Sequence, residues 1–120
     1  IKDLKLAVLS NHPYHPIIEN LLKKYDLHQY FEYIQTSARF GKRKPDPAIF
    51  LDLLEKLGLH GDPSSAMMCG DEHADIVGGY RAGLKPILCE RTYKFPFERE
   101  IPLTNYIRIK NLSEIFPYLQ

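Results

Sequence analysis

Five side chains in this sequence could together bind a phosphate group and assist its transfer. Ser10 and Asn11 follow one apolar run, and Asp71 and Asp75 follow another; Lys44 lies in a turn directly before Pro45-Asp46-Pro47. A hydroxyl group and the backbone N–H groups beside it can bind phosphoryl oxygens, and a lysine neutralises the charge that develops during transfer. Mg²⁺ prefers one or two carboxylates together with the phosphate oxygens of its substrate, and the two aspartates could supply the carboxylates. These residue types therefore indicate chemistry on a phosphate ester.

Short apolar runs that alternate with helix-like spacing must position these side chains. Strands are predicted near residues 5–9, 32–35, 66–69, 86–89 and 106–109. Alternation of this kind is typical of a doubly wound α/β domain, in which one parallel sheet is covered by helices on both faces. Ligands of such domains bind beyond the carboxyl ends of the strands. We therefore expect Ser10, Lys44 and Asp71 to lie at the same edge of one sheet.

The predicted helices have recognisable start and stop signals. Pro16 suits the first turn of a helix whose apolar residues recur from 17 to 25. Asp46 is a good N-cap for a second helix, which Gly58 should end. A short helix after Asp71 should reach residue 83, and Asn111 with Glu114 could form a capping box for a short terminal helix.

Composition excludes several classes of protein. The 120-residue chain is 44% hydrophobic and 26% charged, the balance of an ordinary globular domain. Its formal net charge of +1 favours neither nucleic acid nor an anionic membrane as a partner, and no apolar stretch approaches spanning length. Cys69 and Cys89 end apolar runs, as buried thiols of a reducing compartment often do. We expect a cytoplasmic protein.

Three segments of the sequence resemble, in their order along the chain, the motifs of one known family. They are LAVLSN at residues 6–11, GKRKPDPAIF at 41–50 and MMCGDEHADIVGGYRAGLKPI at 67–87. They resemble the second, third and fourth motifs of the haloacid dehalogenase superfamily, and most of all its phosphatase branch, which includes phosphoglycolate and acylneuraminate phosphatases. Each motif alone would be weak evidence, but the three occur in the family's order and spacing between residues 6 and 87. The resemblance implies a Rossmann-like core domain spanning residues 1–120 as a part of the family's core.

The resemblance also implies roles for the matching residues. Ser10, with Asn11 beside it, would hold the transferring phosphoryl group, and Lys44 would bridge that group and the nucleophile. Asp71 would ligate Mg²⁺, and Asp75 would either ligate it or orient the metal ligands and Lys44. The implied activity is hydrolysis of a small phosphate ester through an aspartyl-phosphate, which is nucleophilic catalysis by a carboxylate.

The family's first motif, an apolar strand followed by Asp-x-Asp, has no match in the sequence. Aspartates stand at positions 3, 26, 46, 52, 62, 71 and 75, and no two of them are two residues apart. In the family, that strand lies at the centre of the sheet, and a cap domain usually follows it. We expect both to precede Ile1, so the chain alone should be inactive. An upstream segment or a second copy should complete the sheet.

Plainer interpretations exist for each residue and for the whole chain. Ser10 could cap a turn, Lys44 could be a solvated loop lysine, Asp71 could be a turn former, and Asp75 could be a helix N-cap. The chain could also be a non-catalytic binding or interaction module that has lost its nucleophile. A receiver-like phosphoacceptor domain is more distant, because Asp71 and Lys44 stand in the wrong order for that fold. The residues that precede Ile1 would distinguish the enzyme from the module.

Overall fold

A computed structural model of the chain describes residues 4–59, 61–94, 96 and 98–119. Strands and helices alternate along it. The strands are β1 (Ala7–Ser10), β2 (Tyr33–Thr36), β3 (Met67–Gly70), β4 (Lys85–Cys89) and β5 (Ile107–Ile109). The α-helices are α1 (His15–Lys24), α2 (Ser37–Phe40), α3 (Pro47–Lys56) and α4 (His73–Arg81). Short 3₁₀ segments occupy His28–Tyr30, Pro63–Ser65 and Leu112–Tyr118.

The strands form two parallel sheets, and this corrects the prediction of one continuous sheet. β1 pairs with β2, with Val8 opposite Ile34. The second sheet has the order β3-β4-β5, with Cys69 opposite Ile87 and Ile87 opposite Ile107. The α/β class and the parallel pairing are confirmed. The single sheet was wrong because, in the described part of the chain, β1 and β3 do not pair with each other.

Helix α3 forms where its start signal predicts and carries the largest part of the core. The carboxylate of Asp46 accepts a hydrogen bond from the N–H group of Ala48 at 2.9 Å, which satisfies one of the unpaired donors at the helix start. Ile49 and Phe50 on its inner face are fully buried. The Phe50 ring packs closely on α4 because Gly78 has no side chain: a Cβ atom there would stand 2.4 Å from the ring. This packing holds α4, and with it the loop after β3, against α3.

Two helical predictions turned out differently in detail. Helix α1 forms, but its apolar face is uncovered: Ile17 and Leu21 are 41% and 46% exposed, and no residue of α1 is buried. The predicted terminal helix is a 3₁₀ segment. Asn111 accepts a hydrogen bond from the N–H of Ser113, but Pro117 lies inside the segment, and proline cannot donate the hydrogen bond that an α-helix requires.

Among the residues that the structure describes, no helix is long and apolar enough to cross a bilayer.

Candidate active site

One cavity of about 320 Å³ has all five predicted site residues in its wall. Ser10 and Asn11 contribute from the end of β1, and Lys44 contributes from the loop before α3. Asp71 and Asp75 come from the loop after β3 and from the first turn of α4. The cavity therefore lies between the carboxyl ends of β1 and β3, one strand from each sheet. This is the placement that the sequence predicts.

Lys44 is buried at the base of the cavity, with 7% of its surface exposed. Its ammonium nitrogen Nζ donates to Oδ1 of Asp75 at 2.6 Å and to the backbone carbonyl of Leu9 at 3.0 Å. A buried ammonium is tolerated only when it has such partners, because leaving water is costly for a charge. The alternative of a solvated loop lysine is therefore wrong. Lys44 links the end of β1 to the start of α4 across the cavity.

Asn11 holds the backbone of Lys44 in place. Its amide oxygen accepts from the N–H of Lys44 at 2.8 Å, and its amide nitrogen donates to the carbonyl of Lys44 at 3.0 Å. The peptide bond from Lys44 to Pro45 is cis. Because both ends of the Asn11 side chain are used in this way, its contact with a phosphate would come from the backbone N–H. Its phosphate-binding role, and that of Ser10, stay predictions.

Asp75 contacts both Lys44 and the backbone at the start of α4. Its oxygen Oδ1 pairs with Lys44, and Oδ2 accepts from the backbone N–H groups of Asp71 and Glu72, both at 3.1 Å. A carboxylate has roughly four lone-pair directions, so three are already used. The close approach needs Gly70, where an added Cβ would lie 2.2 Å from Oδ2 of Asp75. Asp75 thus orients Lys44, and it stabilises the start of α4 as the third helical residue of a capping box; the alternative that it is the N-cap is wrong, because Glu72 has that position.

These features fit a known family. The sequence model described as "Haloacid dehalogenase-like hydrolase" matches residues 1–89. The chain belongs to the haloacid dehalogenase-like hydrolases. It is 42% identical over 91 residues to a phosphoglycolate phosphatase of Aquifex aeolicus, covering 72% of this chain and 39% of that protein. It is 32% identical over 102 residues to the pyrophosphatase PpaX of Bacillus mycoides, covering 85% of this chain and 46% of that protein.

Solved structures agree with this assignment. The crystal structure of a HAD phosphatase from Thermococcus onnurineus superposes with a TM-score of 0.77 at 28% identity, covering 96% of this chain and 50% of that one. The chain thus spans about half of that structure and less than half of the two curated relatives. The resemblance to the haloacid dehalogenase superfamily and its phosphatases is confirmed.

Asp71 is an exposed carboxylate in the wall of the cavity. Its side chain is 50% exposed, and its Oδ2 lies 3.2 Å from Nε of Arg91. Asp71 could therefore offer one oxygen to a metal ion that keeps most of its own water. Across the described ranges, no group of three or more His, Cys, Asp or Glu side chains could hold a metal ion. The metal-binding roles of Asp71 and Asp75 therefore stay predictions.

Arg91 is a site residue that the sequence analysis missed. It stands two residues after β4, and its side chain is 10% exposed. Its Nη2 donates to the backbone carbonyl of Asp71 at 3.1 Å and pairs with Glu98. A signal was present in the sequence, because Arg91 closely follows a predicted strand and parallel strands end at the same edge of a sheet.

The pKa values of two side chains near the cavity, Cys69 and His73, differ from their ordinary values. Burial raises the pKa of the Cys69 thiol, with smaller contributions from Cys89 and Asp75. Burial also lowers the pKa of His73, and the positive charges of Arg99 and Arg81 add to this effect. Cys69 is therefore a protonated thiol and His73 a neutral imidazole near pH 7.

Proposed function

We propose that this chain is the larger part of the core of a phosphatase that hydrolyses small phosphate esters. One observation carries the proposal: the buried ammonium of Lys44 is held beside Ser10 in the cavity by the carbonyl of Leu9 and by Asp75. A fixed positive charge at this point stabilises a phosphoryl group whose negative charge increases as its bonds change. Because the cation is already oriented, little reorganisation is needed during the reaction.

Each residue of the chain has a separate task in this proposal. The hydroxyl and backbone N–H of Ser10 bind the oxygens of the phosphoryl group, and Lys44 neutralises their charge. The side chains of Asp75 and Asn11 act as positioning groups, because they hold Lys44, and the backbone N–H of Asn11 binds the phosphoryl group beside Ser10. The chain therefore binds and polarises the substrate but does not attack it.

The nucleophile comes from a strand that fills the space between β1 and β3. A carboxylate oxygen of the first aspartate of an Asp-x-Asp on that strand attacks phosphorus, and the bond to the ester oxygen breaks. That oxygen leaves with a proton donated by the second aspartate, and an aspartyl-phosphate forms. Water gives a proton back to the second aspartate as it attacks phosphorus, and inorganic phosphate is released, which restores both carboxyl groups. An upstream segment or a second copy of the chain supplies the strand. No Asp-x-Asp occurs in the 120 residues, so the chain alone is inactive.

Mg²⁺ is the proposed cofactor, and Asp71 is the residue of this chain that best fits it. The ion would supply positive charge at the phosphate oxygens when bound. Asp71 has a half-exposed carboxylate in the cavity wall, whereas Asp75 has one lone-pair direction left after its contacts with Lys44 and the backbone. Further ligands would come from the strand that completes the sheet.

The names of the relatives suggest a substrate class. Phosphoglycolate carries a carboxylate beside its phosphate, and pyrophosphate carries a second phosphate, so both are small and strongly acidic. We propose a small phosphorylated metabolite as the substrate and the cytoplasm as the location. Both cysteines are free thiols, as a reducing compartment would keep them.

Phosphate release by the intact protein tests the proposal. Lys44→Met should reduce kcat by about 100- to 1000-fold, because one fixed charge that acts in the transition state is lost. Lys42→Met, at an exposed lysine of the same loop, should retain activity. Equal activity of both variants would refute the proposal. An intact protein that is folded but inactive on every small phosphate ester would favour the non-catalytic binding module.

A further inference from the structure

A second cavity of about 380 Å³ adjoins the first and has no role in binding the phosphoryl group. The two cavities share Lys44 and Glu72 in their walls, so a small ligand can extend from one into the other. We propose that the second cavity binds a second acidic group of the substrate, such as a carboxylate or another phosphoryl group. Arg43 and Arg99 are the residues that recognise it. This inference rests on the proposed function.

The charges that line the second cavity favour an anion. Arg43, Arg91 and Arg99 contribute guanidinium groups, against the carboxylates of Glu72 and Glu98. Arg91 and Glu98 pair with each other, which leaves two arginines against one glutamate. In the part of the chain that the structure describes, no carboxylate lies within ion-pair distance of Arg43 or Arg99, and both side chains are exposed to solvent.

The loop that carries Arg99 is tied to the active site. Arg91 pairs with Glu98, the residue before Arg99, and the same guanidinium contacts both the carboxylate and the backbone carbonyl of Asp71. Arg43 is the residue directly before Lys44, so its backbone is fixed by the same bonds that hold Lys44. Both arginines are therefore attached to parts of the chain that the site already orders.

Guanidinium groups suit this task because their planar fork binds carboxylate and phosphate oxygens in pairs. Both arginines line the second cavity together with His73. A ligand with its phosphoryl group beside Ser10 and Lys44 would thus place a second anionic group between Arg43 and Arg99.

Calorimetric titration of the intact protein with two phosphonates, at a fixed Mg²⁺ concentration, tests this inference. Methylphosphonate presents one acidic group, and phosphonoacetate adds a carboxylate; neither can be hydrolysed at phosphorus. Phosphonoacetate should bind about tenfold more tightly or better, because a hydrogen-bonded charge pair is gained. Arg43→Gln/Arg99→Gln should remove most of that tenfold preference. Lys23→Gln/Lys85→Gln, which removes the same charge from exposed positions on α1 and β4, should keep it.

Three results would overturn the inference. They are equal affinity for the two phosphonates, a preference that survives in the arginine variant, and no binding of phosphonoacetate at all. The readout needs no turnover, so the result is separate from the proposed activity. If the arginine-dependent preference is present while the intact protein hydrolyses no phosphate ester, only the phosphatase proposal fails.

Discussion

The ammonium of Lys44 lies 2.6 Å from the carboxylate of Asp75, 31 residues further along the chain, and both side chains are 8% exposed. This ion pair joins the loop before α3 to the first turn of α4. Lys44 also donates to the carbonyl of Leu9 at the end of β1. The pair therefore holds three separate segments of the chain around one cavity.

A double-mutant cycle should show that the two charges stabilise each other. Lys44→Met should lower the free energy of unfolding by about 3–5 kcal/mol, because it leaves the carboxylate of Asp75 buried without its partner. Asp75→Asn in the same background should recover part of this loss, since the amide oxygen can still accept the two backbone N–H bonds. Urea unfolding of the two single variants and the double variant measures the coupling. Strict additivity would contradict the contact.

Gly70→Ala should damage the site through one added methyl group. The new Cβ would stand 2.2 Å from the carboxylate of Asp75, so the ion pair with Lys44 must shift. We expect a loss of about 1–3 kcal/mol in unfolding free energy, as for other overpacked sites. Gly61→Ala is the matched control, because a Cβ atom at that position would have no other atom within 4 Å and the change should stay within about 0.5 kcal/mol. Equal effects on thermal unfolding would count against this geometry.

Asp52 should contribute stability that disappears in acid. The hydrogen bond from Gln35 and then that from Lys56 lower the pKa of Asp52. The folded-state pKa therefore lies below the unfolded value of about 3.9, so the contribution is present above that pH and is lost as pH falls through the folded-state pKa. Asp52 is partly exposed, so the contribution should be less than about 1 kcal/mol. Asp52→Asn should be less stable than the parent at pH 7 and nearly equal at about pH 2 in thermal melts; a constant difference would contradict the assignment.

The edges of β1 and β3 that face the cavity should need a partner strand. A buried N–H or C=O group without a hydrogen bond costs about 1–3 kcal/mol, and several along a strand approach the whole stability of a domain. Leu9 avoids part of this cost because its carbonyl accepts from Lys44. We expect an upstream segment or a second copy to fill the space, or the two edges to collapse together. Hydrogen exchange that shows both strands protected in a verified 120-residue monomer, still a strand's width apart, would refute this.

Mg²⁺ should bind this chain only weakly. Asp71 offers one accessible carboxylate, and Asp75 is largely committed to Lys44 and the backbone. A dissociation constant of about 1 mM or weaker is expected for so few ligands. Calorimetry of the chain and of Asp71→Asn would measure it, and the variant should lose the remaining affinity. Tight stoichiometric binding by the chain alone would contradict this prediction.

Local signals in the sequence were sufficient to predict the strands, helix α3 and the family. The apolar runs placed all five strands to within about two residues, because a strand buried on both faces needs a continuous apolar stretch. Asp46 and Gly58 marked the ends of α3 because capping depends on residues adjacent in the chain. Ser10, Lys44 and Asp71 each come after a predicted strand, and parallel strands end on the same side of a sheet. The sequence therefore predicted that all three residues lie at one edge of the sheet.

Only the tertiary structure decided how the site residues are used. The resemblance left open whether Asp75 ligates a metal ion or orients Lys44, and the structure shows its contact with Lys44. The sequence could not show that Lys44 is buried or that Arg91 reaches back to Asp71, because these contacts join segments 20 or more residues apart. The resemblance implied a further strand at the centre of the sheet, and the structure shows that β1 and β3 do not pair with each other in the described part of the chain. Apolar patterns alone could not show this, because they report which faces of a strand are buried and not which strands are neighbours.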